Sequence, residues 1–301
     1  MAKEITVHSV LNKQKRRDDW FLCDYSMNPY EGCQFNCVYC YVHGSKYGEK
    51  MAEGIAVKWN APTILDRQLK ARAEKKEYGI IAVGSATDPY MPIEEERQIT
   101  RRCLEVILKR KFPIGVTTRS PLILRDLDIL REIGKSAILP EDLKEKGIPG
   151  VIISSSFSTV DEQVAKIFEP GAPRPLARME FLKKCKDAGF MVGANFMPLL
   201  PYISDTEESL DSMVRMAKEH GLDFTFVSGL TLYGDGPADC KTKYYKALEA
   251  NFPELVEKTR ALFAGNFAPP GNYQGKLDEM ARRMCEKYGM RYHILPAGRK
   301  S

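Results

Sequence analysis

Three cysteines fall within one short stretch: Cys33, Cys37 and Cys40, spaced C-x3-C-x2-C in Gly32-Cys33-Gln34-Phe35-Asn36-Cys37-Val38-Tyr39-Cys40-Tyr41. Thiolates this close in the chain read first as a metal site, because soft sulfur donors select zinc or iron–sulfur clusters. A 4Fe–4S cluster held by only three protein thiolates keeps one iron open to a further ligand, which makes it a centre for chemistry rather than an electron store. His43 follows Cys40 at a spacing that offers the other reading, a tetrahedral zinc with three cysteines and one histidine. Spacing alone leaves both open.

The elements that must carry this loop are legible as alternating apolar runs and amphipathic stretches. Trp20 to Ser26 reads as a first strand that delivers the chain to the cysteine loop. Further strands are expected at Ile80–Ser85, Phe112–Thr118, Val151–Ser156, Met191–Met197 and Phe224–Leu230. Between them lie helical patterns from Pro62 to about Glu77, Glu94 to Arg110, Leu122 to about Ile133, Leu176 to Ala188 and Thr206 to His220. Six strands alternating with helices predict a parallel sheet with right-handed crossovers. A strand ending in a ligand-bearing loop is a habit of α/β barrels. From Tyr233 the chain turns helical and more polar, with Lys243–Ala250, Pro253–Phe263, Lys276–Tyr288 and a short strand at Arg291–Leu295. That division gives a basic arm at 1–19, a barrel at 20–232 and a helical extension packed on it at 233–301.

Composition sets the class. The chain has 301 residues, 44% of them hydrophobic, which is enough to bury a full core in one principal domain. Its eight cysteines have no framework spacing outside the motif, and the N-terminus carries no apolar signal-like stretch, so a reduced, cytoplasmic protein is expected. No apolar run is long enough for a membrane span. The formal charge of +5 permits a nucleic-acid partner without requiring one. The dense run Lys13-Gln14-Lys15-Arg16-Arg17 reads either as a phosphate-binding arm or as a solubilising one.

The cysteine spacing, with aromatic Tyr39 just before the third cysteine, resembles the signature of radical S-adenosylmethionine (radical SAM) enzymes. Asn28-Pro29-Tyr30, Thr87-Asp88-Pro89-Tyr90-x-Pro92-Ile93-Glu94, Thr117-Thr118-Arg119-Ser120, Arg125-Asp126 and Phe168-Glu169-Pro170-Gly171 are similar to motifs of the spore photoproduct lyase-related (DNA repair photolyase-like) group over about residues 20–230. The resemblance implies a partial (β/α)6 TIM-type barrel. It also implies a 4Fe–4S cluster on Cys33, Cys37 and Cys40, S-adenosylmethionine as cofactor, formation of a 5′-deoxyadenosyl radical, and a low-potential electron donor of flavodoxin or ferredoxin type.

The resemblance assigns candidate cofactor contacts as well. Thr87 and Asp88 would accept from the methionine ammonium, the alternative being ordinary turn chemistry at a helix start. Arg119 would pair with the cofactor carboxylate, or else form a structural ion pair. Ser156 would bond the carboxylate or ribose, with Ser154 and Ser158 as competing registers. Glu169 and Arg178 would lock the fourth βα loop over the cofactor, or simply brace that loop. Tyr41 would pack against adenine, or lie buried under the cluster. One departure stands out: the lyase carries a cysteine just before its Thr/Ser-Asp segment that returns a hydrogen atom to the product radical, and here that position is Ser85. Cys240 in Tyr233–Cys240 offers a thiol from another direction, against the reading of an incidental loop cysteine. Cys23, Cys103, Cys185 and Cys285 sit singly in apolar patterns and read as small buried hydrophobes.

The favoured expectation is therefore a radical SAM enzyme acting on nucleic acid or another bulky substrate. Two alternatives stand beside it: a nucleic-acid-binding protein stabilised by a zinc knot, and a 4Fe–4S electron carrier.

Overall fold

The computed structural model describes residues 2–48 and 54–295. Its strands are β1 (Lys3–Ile5), β2 (Leu11–Lys13), β3 (Cys23–Met27), β4 (Tyr30–Glu31), β5 (Ala56–Lys58), β6 (Ile80–Val83), β7 (Ile114–Thr117), β8 (Val151–Phe157), β9 (Met191–Leu199), β10 (Phe224–Gly229) and β11 (Arg291–Tyr292). Eight of them form one sheet in the order β11-β10-β9-β8-β7-β6-β3-β2. The six expected strands, β3 and β6 to β10, thus lie side by side in chain order, with helices in the intervening segments. Pairs β3·β6, β6·β7, β7·β8 and β10·β11 run parallel, while β2 joins the edge antiparallel to β3 with Leu11 opposite Met27. This is an α/β fold with a mostly parallel sheet. Parallel strands covered on both faces read as unbroken apolar runs rather than alternations, and β8 fits: six of its seven residues are buried.

By internal packing the chain divides into two units. The first comprises Met1–Gln34, Ala52–Ser155 and Phe181–Gly193; the second comprises Phe35–Met51, Ser156–Glu180 and Ala194–Ser301.

In the first unit, β1, β4 and β5 form a separate three-stranded sheet, so the N-terminal segment is partly strand. Within the basic run, Lys13 reaches Glu77 at 3.3 Å and Arg17 reaches Asp24 at 3.1 Å, leaving Lys15 and Arg16 exposed. The expected helix Glu94–Arg110 is two helices, Pro92–Arg97 and Ile99–Arg110, divided by Gln98 in the left-handed region at φ 50°. The break has a cause. The buried Glu94 carboxylate accepts from the Thr100 amide at 2.9 Å and the Arg101 amide at 3.2 Å, satisfying donors that a helix start would otherwise leave orphaned. The stretch expected as helix Leu122–Ile133 begins with a 3-10 turn over Pro121–Asp126, and the α-helix proper is Leu127–Ser136.

In the second unit, the long helix Gly271–Tyr288 packs on β10. Gln274 accepts from the Gly229 amide at 3.0 Å and donates to the Val227 carbonyl at 3.1 Å, which satisfies strand groups near the end of β10. Among the described residues no helix is long and apolar enough to cross a membrane.

Candidate metal centre

Cys33 belongs to the first unit, Cys37 and Cys40 to the second. In the first unit the approach to Cys33 is shaped by Gly32, whose φ is +73° and where an added Cβ would sit 2.4 Å from the Gly54 carbonyl oxygen. Only glycine meets both conditions without strain. The Thr87 hydroxyl donates to the Gly32 carbonyl, and the Gln34 amide points at the Met91 sulfur at 3.0 Å. The loop entering the motif is therefore tied to the segment after β6 on both sides of Cys33.

Asp88, next to Thr87, is 8% exposed. One carboxylate oxygen accepts from the Tyr90 amide at 2.9 Å and the Thr118 hydroxyl at 2.6 Å, the other from the Arg119 amide at 2.7 Å. Burial pushes the Asp88 carboxyl up, opposed by those hydrogen bonds. Three donors against about four lone-pair sites leave room for roughly one more, so Asp88 works first as the clasp between the loops after β6 and β7. Arg119 follows the end of β7, with its backbone fixed by Asp88. Ser85 accepts from the Asn28 side chain at 3.0 Å, and Asn28 also takes the Ala86 amide at 2.9 Å.

The remaining polar motif residues of this unit form a buried network. Tyr30 donates to Glu94; Arg125 reaches Glu94 at 2.8 Å and Asp126 at 2.9 Å; Arg101 reaches Asp126 at 2.7 Å. Glu94 and Asp126 are fully buried, and buried carboxylates persist when paired in this way.

In the second unit the motif turns through Asn36 at φ 47°, a left-handed position that asparagine tolerates better than most residues. The Cys40 amide bonds the Cys37 carbonyl at 3.1 Å and the His43 amide bonds the Cys40 carbonyl at 3.0 Å, closing successive turns. The Phe168–Gly171 loop grips this segment from outside. The Val38 amide donates to the Phe168 carbonyl at 3.0 Å, the Gly171 amide to the Phe35 carbonyl at 3.1 Å, and the Tyr39 hydroxyl to the Glu169 carboxylate.

Glu169 and Arg178 differ from the cofactor contacts that the resemblance implied. They are 2% and 0% exposed and form an ion pair with each other. Arg178 also donates to the Pro173 carbonyl at 2.7 Å and the Ser156 carbonyl at 2.8 Å. Their donors and acceptors are spent on protein, so they brace the loop. Ser156 is half-buried at the end of β8; Ser154 bonds Thr117 at 3.1 Å, and Ser158 bonds Glu169 at 2.8 Å. Of the three registers, Ser156 is the one whose hydroxyl no such contact claims. Tyr41 is 39% exposed and meets Tyr47 edge-on with centroids 5.9 Å apart, so it is not buried beneath the loop.

Cys240 is corrected too. It is fully buried at the start of the helix Cys240–Asn251, its sulfur 3.1 Å from the Tyr233 amide and 3.6 Å from the Tyr233 carbonyl. Burial pushes its thiol up, and a thiol sealed in this way cannot reach a substrate radical. Its amide bonds the His43 carbonyl at 3.2 Å, which makes it an anchor for the chain leaving the motif. Burial lowers the His43 imidazole, as does nearby Lys243, with Asp239 opposing.

None of the eight cysteines forms a disulfide. Among the described residues no three His, Cys, Asp or Glu side chains are drawn together as a ready ion cage. The fit to an iron–sulfur cluster is one of donor type and spacing: three soft thiols on one turning loop whose backbone is held on both sides.

A radical SAM superfamily profile matches residues 27–217, well over half of the chain, and the chain therefore belongs to that superfamily. An uncharacterised protein of Mycobacterium bovis is 26% identical over 280 residues, spanning 91% of this chain and 77% of its own. An uncharacterised protein of Methanocaldococcus jannaschii is 26% identical over 237 residues, covering 77% of this chain and 78% of its own. Among solved structures, a spore photoproduct lyase mutant superposes with a TM-score of 0.69 at 17% identity, covering 96% of this chain and 81% of that one. Another mutant of that lyase, with bound AdoMet and dinucleoside spore photoproduct, gives 0.63 at 18% identity over 91% of this chain and 77% of that one. At such identities the likeness shows a shared fold. Superfamily and fold together mark the chain as an enzyme.

Proposed function

We propose that this chain holds a 4Fe–4S cluster on Cys33, Cys37 and Cys40 and uses it to cleave S-adenosylmethionine reductively, acting on nucleic acid or another bulky substrate. The observation that carries the reading is the cysteine triplet itself, on a loop gripped at Gly32 by Thr87 and at Tyr39 by Glu169. Such a cluster, when bound, supplies a low-potential electron and an iron site open to the cofactor's methionine end.

The chain's own residues would bind and orient. Thr87 fixes the Gly32 carbonyl, and with it the backbone carrying Cys33. Asp88 fixes the backbone at Arg119, whose guanidinium is our candidate partner for the cofactor carboxylate. Asp88 keeps roughly one acceptor position for an ammonium group. Ser156 is the candidate hydroxyl for the carboxylate or ribose, and half-exposed Tyr41 the candidate platform for adenine. A barrel at 20–232 with a basic segment before it and a helical extension after it remains our division of labour, with a flavodoxin or ferredoxin as electron donor. The lyase seen with dinucleoside photoproduct supports a nucleic-acid substrate, as does the exposed pair Lys15 and Arg16.

Anaerobic reconstitution with iron and sulfide tests the reading. It predicts a brown protein with about four iron atoms per chain and release of 5′-deoxyadenosine after dithionite reduction. A colourless protein that retains zinc instead would overturn it.

A further inference from the structure

We propose that Tyr39, Glu169 and Arg178 are positioning residues that set the Cys37–Cys40 turn before any metal arrives, with the Tyr39 hydroxyl as the coupling point. The inference deepens the reading above and rests on it for the identity of the metal centre, but its geometry is independent of which metal binds.

Glu169 receives four donors. The Tyr39 hydroxyl, the Ser158 amide at 3.2 Å and the Ser158 hydroxyl at 2.8 Å reach one oxygen, and the Arg178 guanidinium reaches the other. A carboxylate has about four lone-pair sites, so this one is saturated by protein. It is therefore not an acceptor for a small molecule. Its four donors come from three places in the chain: the cysteine loop, the end of β8 and the helix Pro175–Asp187. Arg178 adds the Ser156 and Pro173 carbonyls, so one buried ion pair gathers the β8 terminus, the Phe168–Gly171 loop and the cysteine turn.

Two backbone bonds flank the same contact. Val38 to Phe168 and Gly171 to Phe35 clamp the chain on either side of Cys37. Tyr39 lies between Cys37 and Cys40, and its ring is 4% exposed, so its hydroxyl fixes the turn from within. A side chain next to a ligand, buried and bonded to a saturated carboxylate, orients the ligands and does not take part as one. The aromatic at this place in the motif thus has a role for its hydroxyl that a phenylalanine would not supply.

The test is hydrogen–deuterium exchange on the full-length, metal-free protein, comparing wild type with Tyr39→Phe and Glu169→Gln. Tyr39→Phe keeps the ring and the ion pair, so the fold is retained. The expected result is exchange at the Val38 and Gly171 amides at least tenfold faster, with amides of β8 unchanged. After reconstitution the reduced centre's electron paramagnetic resonance g values should shift in Tyr39→Phe, because the thiolate geometry has altered. Glu169→Gln should accelerate the same amides more than Tyr39→Phe does. Unchanged exchange at Val38 in Tyr39→Phe overturns the proposal, as does acceleration spread evenly across β8, which marks general destabilisation. A protein that takes up no iron defeats the functional reading, while the exchange comparison still decides this one.

Discussion

Each cysteine of the triplet is predicted to be indispensable, because three thiolates leave no spare ligand. Alanine at Cys33, Cys37 or Cys40 should abolish iron uptake, measured by iron analysis after reconstitution; full occupancy in any single variant would remove that residue from the ligand set. Cys240→Ala should behave differently. Its thiol is buried against the Tyr233 backbone, so the variant should lose about 1–2 kcal/mol of stability through the small cavity and still form 5′-deoxyadenosine at the wild-type rate. Loss of that product with an intact cluster would restore a chemical role for the thiol. At Arg178, alanine would strand the Glu169 carboxylate in a dry environment. Removing one partner of a buried pair costs about 3–5 kcal/mol, and chemical denaturation should show it. The triplet was plain in the sequence because its spacing is local. The Glu169 assignment was not, because the partner that decides it, Tyr39, is distant in the chain and joined to it only by the fold.

At the scale of elements, the order of strands was legible and the interior of helices less so. Strands β6 to β10 appear as apolar runs with turn residues between them, and each was found within a few residues of its expected place. Glu94–Arg110 has unbroken helical periodicity and no glycine or proline within it, yet the chain breaks at Gln98. The cause is Glu94 folding back to cap the next helix, held there by Tyr30 and Arg125, and no local pattern announces a cap supplied by a buried network. The helix Glu162–Phe168 is capped more conventionally: Asp161 accepts from Gln163 at 2.8 Å and Val164 at 3.1 Å. Asp161→Ala should cost about 1 kcal/mol. Because this helix delivers Phe168 and Glu169 to the cysteine turn, iron uptake should slow in parallel, followed as absorbance growth during reconstitution. Uptake at the wild-type rate would separate the helix from the loop it feeds.

For the whole molecule, superfamily membership and a fold shared with spore photoproduct lyase set the frame within which Ser85 matters. A serine O–H bond is too strong to stand in for a thiol as hydrogen-atom donor, and Ser85 is bonded to Asn28 rather than placed beside a cysteine. With Cys240 sealed, the described residues of this chain point to radical initiation without the lyase's own repair step. The most direct measurement is product analysis by liquid chromatography of the anaerobic, reconstituted, dithionite-reduced protein given S-adenosylmethionine, with and without a dinucleoside spore photoproduct. The account predicts 5′-deoxyadenosine and methionine in both samples and an unrepaired photoproduct. A protein with its full complement of iron that forms no 5′-deoxyadenosine would contradict it.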